Sequence, residues 1–249
     1  MSFEQVRRDW ATLGAEDPLW AVHVAADKRG GRWDAEAFLE LGRRDVEVAR
    51  EQLRRLGLPT SWERVLDFGC GAGRLSQALA QHAGEVVGLD VSAPMLETAR
   101  GLDRSGGRIS FVLNEDPDLR SFPEGHFDLV YTERVLQHLP RAVLETYLTE
   151  FARVLRPGGV AVVHCTTRPM WTLRGLVWRV APVPLIRWAQ RRLLGYPAPM
   201  RMTGVPEERV AELVAVHGAA VVDAAAVDEP ETHWHARRYV IRRRPDATG

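Results

Sequence analysis

The 249-residue chain carries 33 basic and 33 acidic side chains, so its formal net charge is zero and bulk electrostatics give no case for nucleic acid. Hydrophobic residues make up 45%, enough for a sizeable core, while Cys70 and Cys165, far apart and outside any CxxC pattern, imply neither a disulfide scaffold nor a zinc site. Met1 to Asp9 lacks the apolar stretch of a secretion signal, and no uncharged apolar run reaches the ~18 residues of a membrane span, so a cytoplasmic protein is expected.

Residues 1–60 read as a helical lid or extension. Phe38, Leu41, Val46, Ala49, Leu53 and Leu56 recur at roughly helical spacing, and Gly57 and Pro59 end that helix. Trp10, Leu19, Trp20 and Trp33 precede it in a looser, glycine-broken segment, suited to packing on a core or covering a ligand.

Strands and helices alternate through residues 61–167. Val65–Phe68, Val86–Asp90, Ile109–Leu113, Phe127–Thr132 and Val160–Thr166 read as strands. Arg74–His82, Pro94–Leu102 and Ala142–Leu155 read as helices, the second capped by Ser92 and the third ended by Arg156-Pro157-Gly158-Gly159. This rhythm predicts a parallel sheet covered on both faces.

Residues 168–205 break the pattern. They hold Trp171, Trp178 and Trp188, five prolines and seven arginines, with no Asp or Glu. Residues 206–249 restore it, with a helix over Pro206–Val216 and strands Val221–Val227 and Tyr239–Arg243. The loop between these strands carries His233, Trp234 and His235. It has no room for a crossover helix, so the strands form an antiparallel pair at one end of the sheet.

The run Asp67-Phe68-Gly69-Cys70-Gly71-Ala72-Gly73 ends an apolar strand in a carboxylate and then places glycines at alternate positions. Such a turn lets backbone approach a ligand and leads into a helix N-terminus, which describes a nucleotide or cofactor site. Arg74 stands where GxGxxG needs its last glycine, and no Gly-Lys-Ser/Thr follows, so neither a dinucleotide fingerprint nor a P-loop is present.

The run resembles motif I of the class I S-adenosylmethionine-dependent methyltransferases, and four further motifs are similar in order and spacing. They are Asp90-Val91-Ser92-Ala93-Pro94-Met95, Phe122 to Val130, Glu133 to Leu139, and Leu155-Arg156-Pro157-Gly158-Gly159. The resemblance covers residues 62–167 strongly and the C-terminal strand pair more weakly. It implies an α/β, Rossmann-like sheet of seven strands, mostly parallel with an antiparallel last strand. N-terminal helices and a cap after strand five would adorn it.

The resemblance also implies S-adenosyl-L-methionine as cofactor and S-adenosyl-L-homocysteine as product. Asp67 would accept hydrogen bonds from turn amides or the ligand ammonium, and Gly69, Cys70, Gly71 and Gly73 would wrap the methionine part. Asp90, with Val91, would take the ribose hydroxyls. Met95 and one residue of the 114–119 stretch, with Asn114, Asp116 and Leu119 as candidates, would flank the adenine. The acidic crowd after strand three departs from the family pattern and leaves that choice open. Thr132 and Glu133 would lie beside the sulfonium.

His138 is the candidate proton acceptor, a histidine suiting that task near neutral pH. His164, inside strand five, reads as a core residue. His233 and His235 are candidate substrate contacts. They resemble a metal pair without a third ligand, so no metal is expected. Trp171 and Trp178 in the cap are further candidate substrate contacts.

The leading reading of the cap is a lid over an aromatic or acidic small molecule. A second is an amphipathic helix on an anionic membrane, delivering a lipid or quinone, and a third is a packed extension or dimer contact. The expected function is methylation of a small-molecule acceptor, O-methylation ahead of N- or C-methylation. The alternatives are a lipid or quinone methyltransferase at a membrane surface and a non-catalytic cofactor-binding partner protein. Oligomeric state is left open.

Overall fold

The computed structural model describes residues 2–245. Met1 and residues 246–249, the outer ends of the 1–60 and 206–249 segments, lie outside the described residues. The N-terminal segment folds into α1 (Phe3–Glu16), α2 (Pro18–Val22) and α3 (Ala35–Arg55). Trp10 thus sits on a regular helix rather than in a loose segment. Ser2 caps that helix by accepting from the Gln5 amide. Gly14, which reads as a helix breaker, is a contact point: a Cβ there would stand 2.8 Å from Ser92 Oγ and 2.9 Å from Met95 Cγ.

Helix α3 starts at Asp34, whose carboxylate accepts from the Ala37 amide. It ends as the sequence predicts. Gly57 takes a left-handed φ of 66°, and the Leu58 amide donates to the Leu53 carbonyl at 2.9 Å, a Schellman closure.

The strands are β1 (Trp62–Phe68), β2 (Ala83–Asp90), β3 (Ile109–Leu113), β4 (Phe127–Thr132), β5 (Leu155–Pro169), β6 (Ala219–Val227) and β7 (Trp234–Arg243). They form one seven-stranded sheet in the order β3-β2-β1-β4-β5-β7-β6. Strand β7 runs antiparallel to both neighbours, and the other pairs are parallel. The helices between them are α4 (Arg74–Leu79), α5 (Ala93–Gly101), α6 (Arg141–Val154) and α9 (Glu207–Ala215). The cap contributes α7 (Leu173–Val180) and α8 (Val183–Arg192).

Successive side chains on each strand serve opposite cores. Leu66, Phe68, Val130, Ala161 and Val163 pack against Tyr147, Leu148 and Phe151 of α6. Val65, Leu129, Tyr131, Val160 and Val162 pack against Val46, Ala49 and Leu53 of α3 and Leu75 and Leu79 of α4. Helices α3 and α4 approach closely because Gly42 has no side chain; its Cβ would lie 2.1 Å from the Arg74 carbonyl oxygen. Chain order reverses between β1 and β4, which opens a crevice beyond their carboxyl ends.

Several expected boundaries move by a few residues, and two of the shifts change what the residues do. Helix α6 ends at Val154, and residues 156–159 are a bulge within β5, where the register to β4 shifts and Gly158 takes a φ of 78°. Trp234 and His235 are not loop residues; they open β7, paired with Pro169 and Arg168.

Candidate functional site

Strand β1 delivers Asp67 to the crevice and the glycine turn follows. Gly69, Gly71 and Gly73 all hold left-handed backbone, with φ of 73°, 53° and 83°, a conformation glycine adopts without steric cost. The Gly69 and Cys70 amides both donate to the Leu89 carbonyl, tying the turn to β2. Cys70 is enclosed, and burial pushes its thiol well above the ordinary range. Helix α4 has only six residues, so the carboxylates and turn glycines, rather than a long helix dipole, shape the site.

Asp90 closes the turn from β2. Its Oδ2 accepts from the Gly71 amide at 2.8 Å and its Oδ1 from the Ser92 amide at 2.9 Å. Burial raises its pKa to about 6, partly opposed by those bonds. Asp67 is fully buried and accepts from Ser76 Oγ at 2.6 Å, while its Oδ1 has no partner. Burial lifts Asp67 to about 7, against the pull of Ser76 and Arg74. A buried carboxylate oxygen left without a donor is uncommon in a folded protein and suits a cationic ligand group.

Hydrophobic side chains line this cradle. Val22 of α2 rests on Gly71, where a Cβ would meet its Cγ2 at 2.6 Å, and Val135 rests on Gly69 at 2.4 Å. Met95 is enclosed by Leu13, Trp20, Ala21 and Ala198, and Val91 is half-buried. After β3, the Asn114 amide donates to the Asp90 carbonyl, and its Nδ2 donates to Tyr147 Oη. Asp116 is exposed. Leu119 is spent on the α6 core, its amide donating to Glu150.

A second cluster adjoins the cradle on the α3–α4 side of the sheet. Tyr131 and Glu133 leave β4, His164 lies on β5 and Arg238 on β7, all with the parity of the buried Leu129, Val162 and Val240. Arg238 reaches both Glu133 oxygens at 3.2–3.3 Å. His164 Nε2 lies 3.4 Å from Glu229 Oε2, and the other Glu229 oxygen accepts from Arg134 at 2.6 Å.

Burial would raise Glu229, but His164 and Arg134 outweigh it and hold the carboxyl at about 2. Arg134 also touches His23 and has a left-handed φ of 60°. Such strain in a non-glycine residue persists only where the surroundings enforce it. Arg74, buried and paired with Asp45, joins the two regions: its charge is felt by Asp67, Tyr131 and His23 alike.

Unpartnered buried atoms gather here. Asp67 Oδ1, Thr132 Oγ1, both His164 ring nitrogens and Glu229 Oε2 lack a well-formed hydrogen bond. Glu133, His164 and Glu229 each offer a ligand atom within 4.8 Å of the others, a spacing that could hold a cation. Both carboxylates are already paired with guanidinium groups, however, so a divalent ion would have to displace two positive charges. The arrangement suits proton handling better.

The remaining sequence candidates separate. Thr132 and Glu133 fall where expected, at the end of β4. His138 lies on the turn after β4, its Nδ1 2.7 Å from the Arg201 carbonyl and its ring against Trp10; burial lowers it to about 4. His233 bonds Thr172 at the start of α7. His235 is exposed on the opposite sheet face, in a groove with Glu207 and Arg237. The two histidines therefore do not pair. Trp178 packs on Trp234, whereas Trp171 is 82% exposed.

Sequence reasoning missed Glu229, Arg134, Arg238 and His23, and set His164 aside as a core residue. The usable signal was a histidine and an arginine at inward positions of otherwise apolar strands, which require partners.

Residues 65–159 match the model of the methyltransferase domain family. Residues 65–159 therefore carry a methyltransferase domain, and the chain as a whole is similar to the class I S-adenosylmethionine-dependent methyltransferases. It is 30% identical over 155 residues to a 2-methyl-6-phytyl-1,4-hydroquinone methyltransferase of Synechocystis, covering 62% of this chain and 48% of that protein. It is 33% identical over 135 residues to a trans-aconitate 2-methyltransferase of Azoarcus, covering 53% and 50%. The chain thus spans about half the length of the curated relatives it matches. Among solved structures, the magnesium protoporphyrin IX methyltransferase of Synechocystis superposes with a TM-score of 0.65 at 19% identity, over 97% of this chain and 100% of that chain.

Proposed function

We propose that this protein moves a methyl group from S-adenosyl-L-methionine to a hydroxyl of a small-molecule acceptor. The observation that carries the reading is the adjacency of two sites across Arg74, a glycine cradle with an unpartnered Asp67 oxygen and a buried His164–Glu229 pair. The residues present fit the donor. Asp67 Oδ1 would take its ammonium, the Gly69–Gly73 backbone its methionine chain, and Asp90 its ribose hydroxyls. Met95 and Asn114 would border the adenine.

When bound, the cofactor supplies an electrophilic methyl on a sulfonium and leaves as S-adenosyl-L-homocysteine. The chain's task is to align the acceptor oxygen with that methyl and to receive the acceptor's proton. Glu229, ionised at every working pH, favours the His164 tautomer that carries its proton on Nε2. Nδ1 is then the free base. His164 Nδ1 would receive the acceptor's proton as its oxygen takes the methyl, the sulfur keeping the electron pair of the broken C–S bond, and Glu229 would stabilise the resulting imidazolium. His138, held to the Arg201 carbonyl and lowered to about 4 by burial, is a poor proton acceptor and anchors the segment after the cap.

The names of the relatives, a phytyl hydroquinone methyltransferase and a trans-aconitate methyltransferase, support a small-molecule acceptor without choosing one. The test is release of S-adenosylhomocysteine with a panel of phenols, hydroquinones and carboxylic acids. Turnover on a hydroxyl acceptor that His164→Asn removes, with cofactor binding intact, is the expected result. Cofactor binding without turnover on any acceptor would instead favour the non-catalytic partner reading.

A further inference from the structure

We infer that the cap formed by α7 and α8 is a docking surface for an anionic phospholipid bilayer. Large apolar side chains on this cap face solvent. Trp171 is 82% exposed, Leu173 88%, Val180 72% and Leu193 70%, and Leu176, Val177, Val183, Leu185, Trp188 and Leu194 are all more than 40% exposed. Soluble surfaces seldom gather so many; Leu173, Leu176, Val177 and Val180 share one face of α7, and an apolar face of this kind marks an interaction site.

The charge around the patch names the occupant. Residues 168–205 carry seven arginines and no acidic residue. Asp9 of α1 offsets part of this by pairing with Arg187 and Arg191. Arg174 of α7 and Arg192 of α8 have no acidic partner among the described residues. A groove of about 640 Å³ runs between α8 and Gln5, lined by Arg187, Arg191, Arg192 and Trp188. Guanidinium groups beside an indole, next to exposed aliphatic side chains, match a phosphate headgroup above an acyl layer. A protein partner would need acidic residues set among apolar ones, whereas an anionic bilayer offers both layers everywhere.

No helix among the described residues is long and apolar enough to cross a membrane, so the contact is peripheral. The cap is fixed to the strand ends beside the candidate site: it leaves β5 five residues after His164, Thr172 bonds His233, and Trp178 packs on Trp234. Resting on the methyl-transfer reading, the consequence is that the acceptor is an amphiphile taken from the bilayer beside the site.

The test is flotation of the full chain with vesicles of phosphatidylcholine containing about one-third phosphatidylglycerol, against phosphatidylcholine alone. Binding to the anionic vesicles only is expected, weakening as salt rises. Leu173→Glu should abolish it. Arg174→Gln and Arg192→Gln should each weaken it about fivefold. These side chains are exposed, so the variants should keep the melting temperature of the parent. Absence of anionic-vesicle binding, or binding indifferent to Leu173→Glu, overturns the inference. So does a dimer in sedimentation velocity that Leu173→Glu splits while vesicles stay unbound, which would make the face an interface between copies. Flotation needs no methyl donor, so its failure would leave the methyl-transfer reading standing.

Discussion

His164 Nε2 stands 3.4 Å from Glu229 Oε2, with His164 fully out of solvent and Glu229 only 2% exposed, while Glu229 also holds Arg134. One carboxylate therefore faces a strand histidine and neutralises a strained arginine. Replacing His164 with Asn should lower kcat by about 10²–10⁴-fold, the usual worth of a positioned base, with cofactor affinity changed less than about twofold. Single-turnover kinetics beside isothermal titration would check the separation; a parallel loss of binding and rate would point to a structural role.

Glu229→Gln should act on both rate and stability. The carboxyl sits at about 2 in the folded protein against 4.5 in its unperturbed state. A depressed carboxyl contributes stability that is present above the unfolded value and lost as pH falls through the folded one. The contribution is about 2–3 kcal/mol, and leaving Arg134 unpaired costs a similar amount. Urea melts of wild type should weaken between pH 4.5 and 2. The variant should start less stable at neutral pH and lose less over that window.

Cofactor affinity should rise with pH. Burial lifts Asp67 to about 7 and Asp90 to about 6. A raised carboxyl favours folding most below its unfolded value and progressively less as pH climbs through the folded one, so these groups are held for binding at some cost in stability. A cationic ligand group prefers ionised Asp67, so affinity should fall roughly tenfold between pH 8 and pH 6. Asp67→Asn should bind more weakly and without this slope. A flat profile in wild type would contradict the assignment.

Gly71→Ala should be damaging for two separable reasons. Its φ is 53°, and the new Cβ would lie 2.6 Å from Val22 Cγ2. Strain and overpacking together should cost about 2–4 kcal/mol. Val22→Ala should relieve only the steric part, so a double-mutant cycle should give a coupling of about 1 kcal/mol. Additive losses would mean that α2 does not rest on the turn.

A chelator should leave turnover unchanged. Glu133 and Glu229 are each matched by a guanidinium, and the cluster has no excess negative charge to attract a divalent ion. Loss of activity with EDTA, restored by one metal, would make Glu133, His164 and Glu229 its ligands instead.

The sheet was legible in the sequence because its central strands are apolar runs buried on both faces and its turns carry glycine, proline and Ser92 at positions that need them. Asp67, the glycines and Asp90 were legible for the same reason: strand-end carboxylates and left-handed turns leave a local signature. The His164–Glu229 pair was not, because its members are 65 residues apart and meet only through the β5–β7 pairing. Helix α1 was hidden by Gly14, whose purpose is its contact with Ser92 and Met95. Nor could pattern alone say which side of the cap meets solvent, since the stripe of Leu185 and Leu193 reads the same for a lid and for a docking face.

The most direct measurement is isothermal titration of S-adenosylhomocysteine into the wild-type chain and into Asp90→Ala at pH 8. Saturable one-to-one binding by wild type, weakened at least tenfold in the variant, is the predicted result. No binding by wild type, or equal binding by both, would contradict the cradle at Asp67–Gly73 and Asp90 as the methyl-donor site.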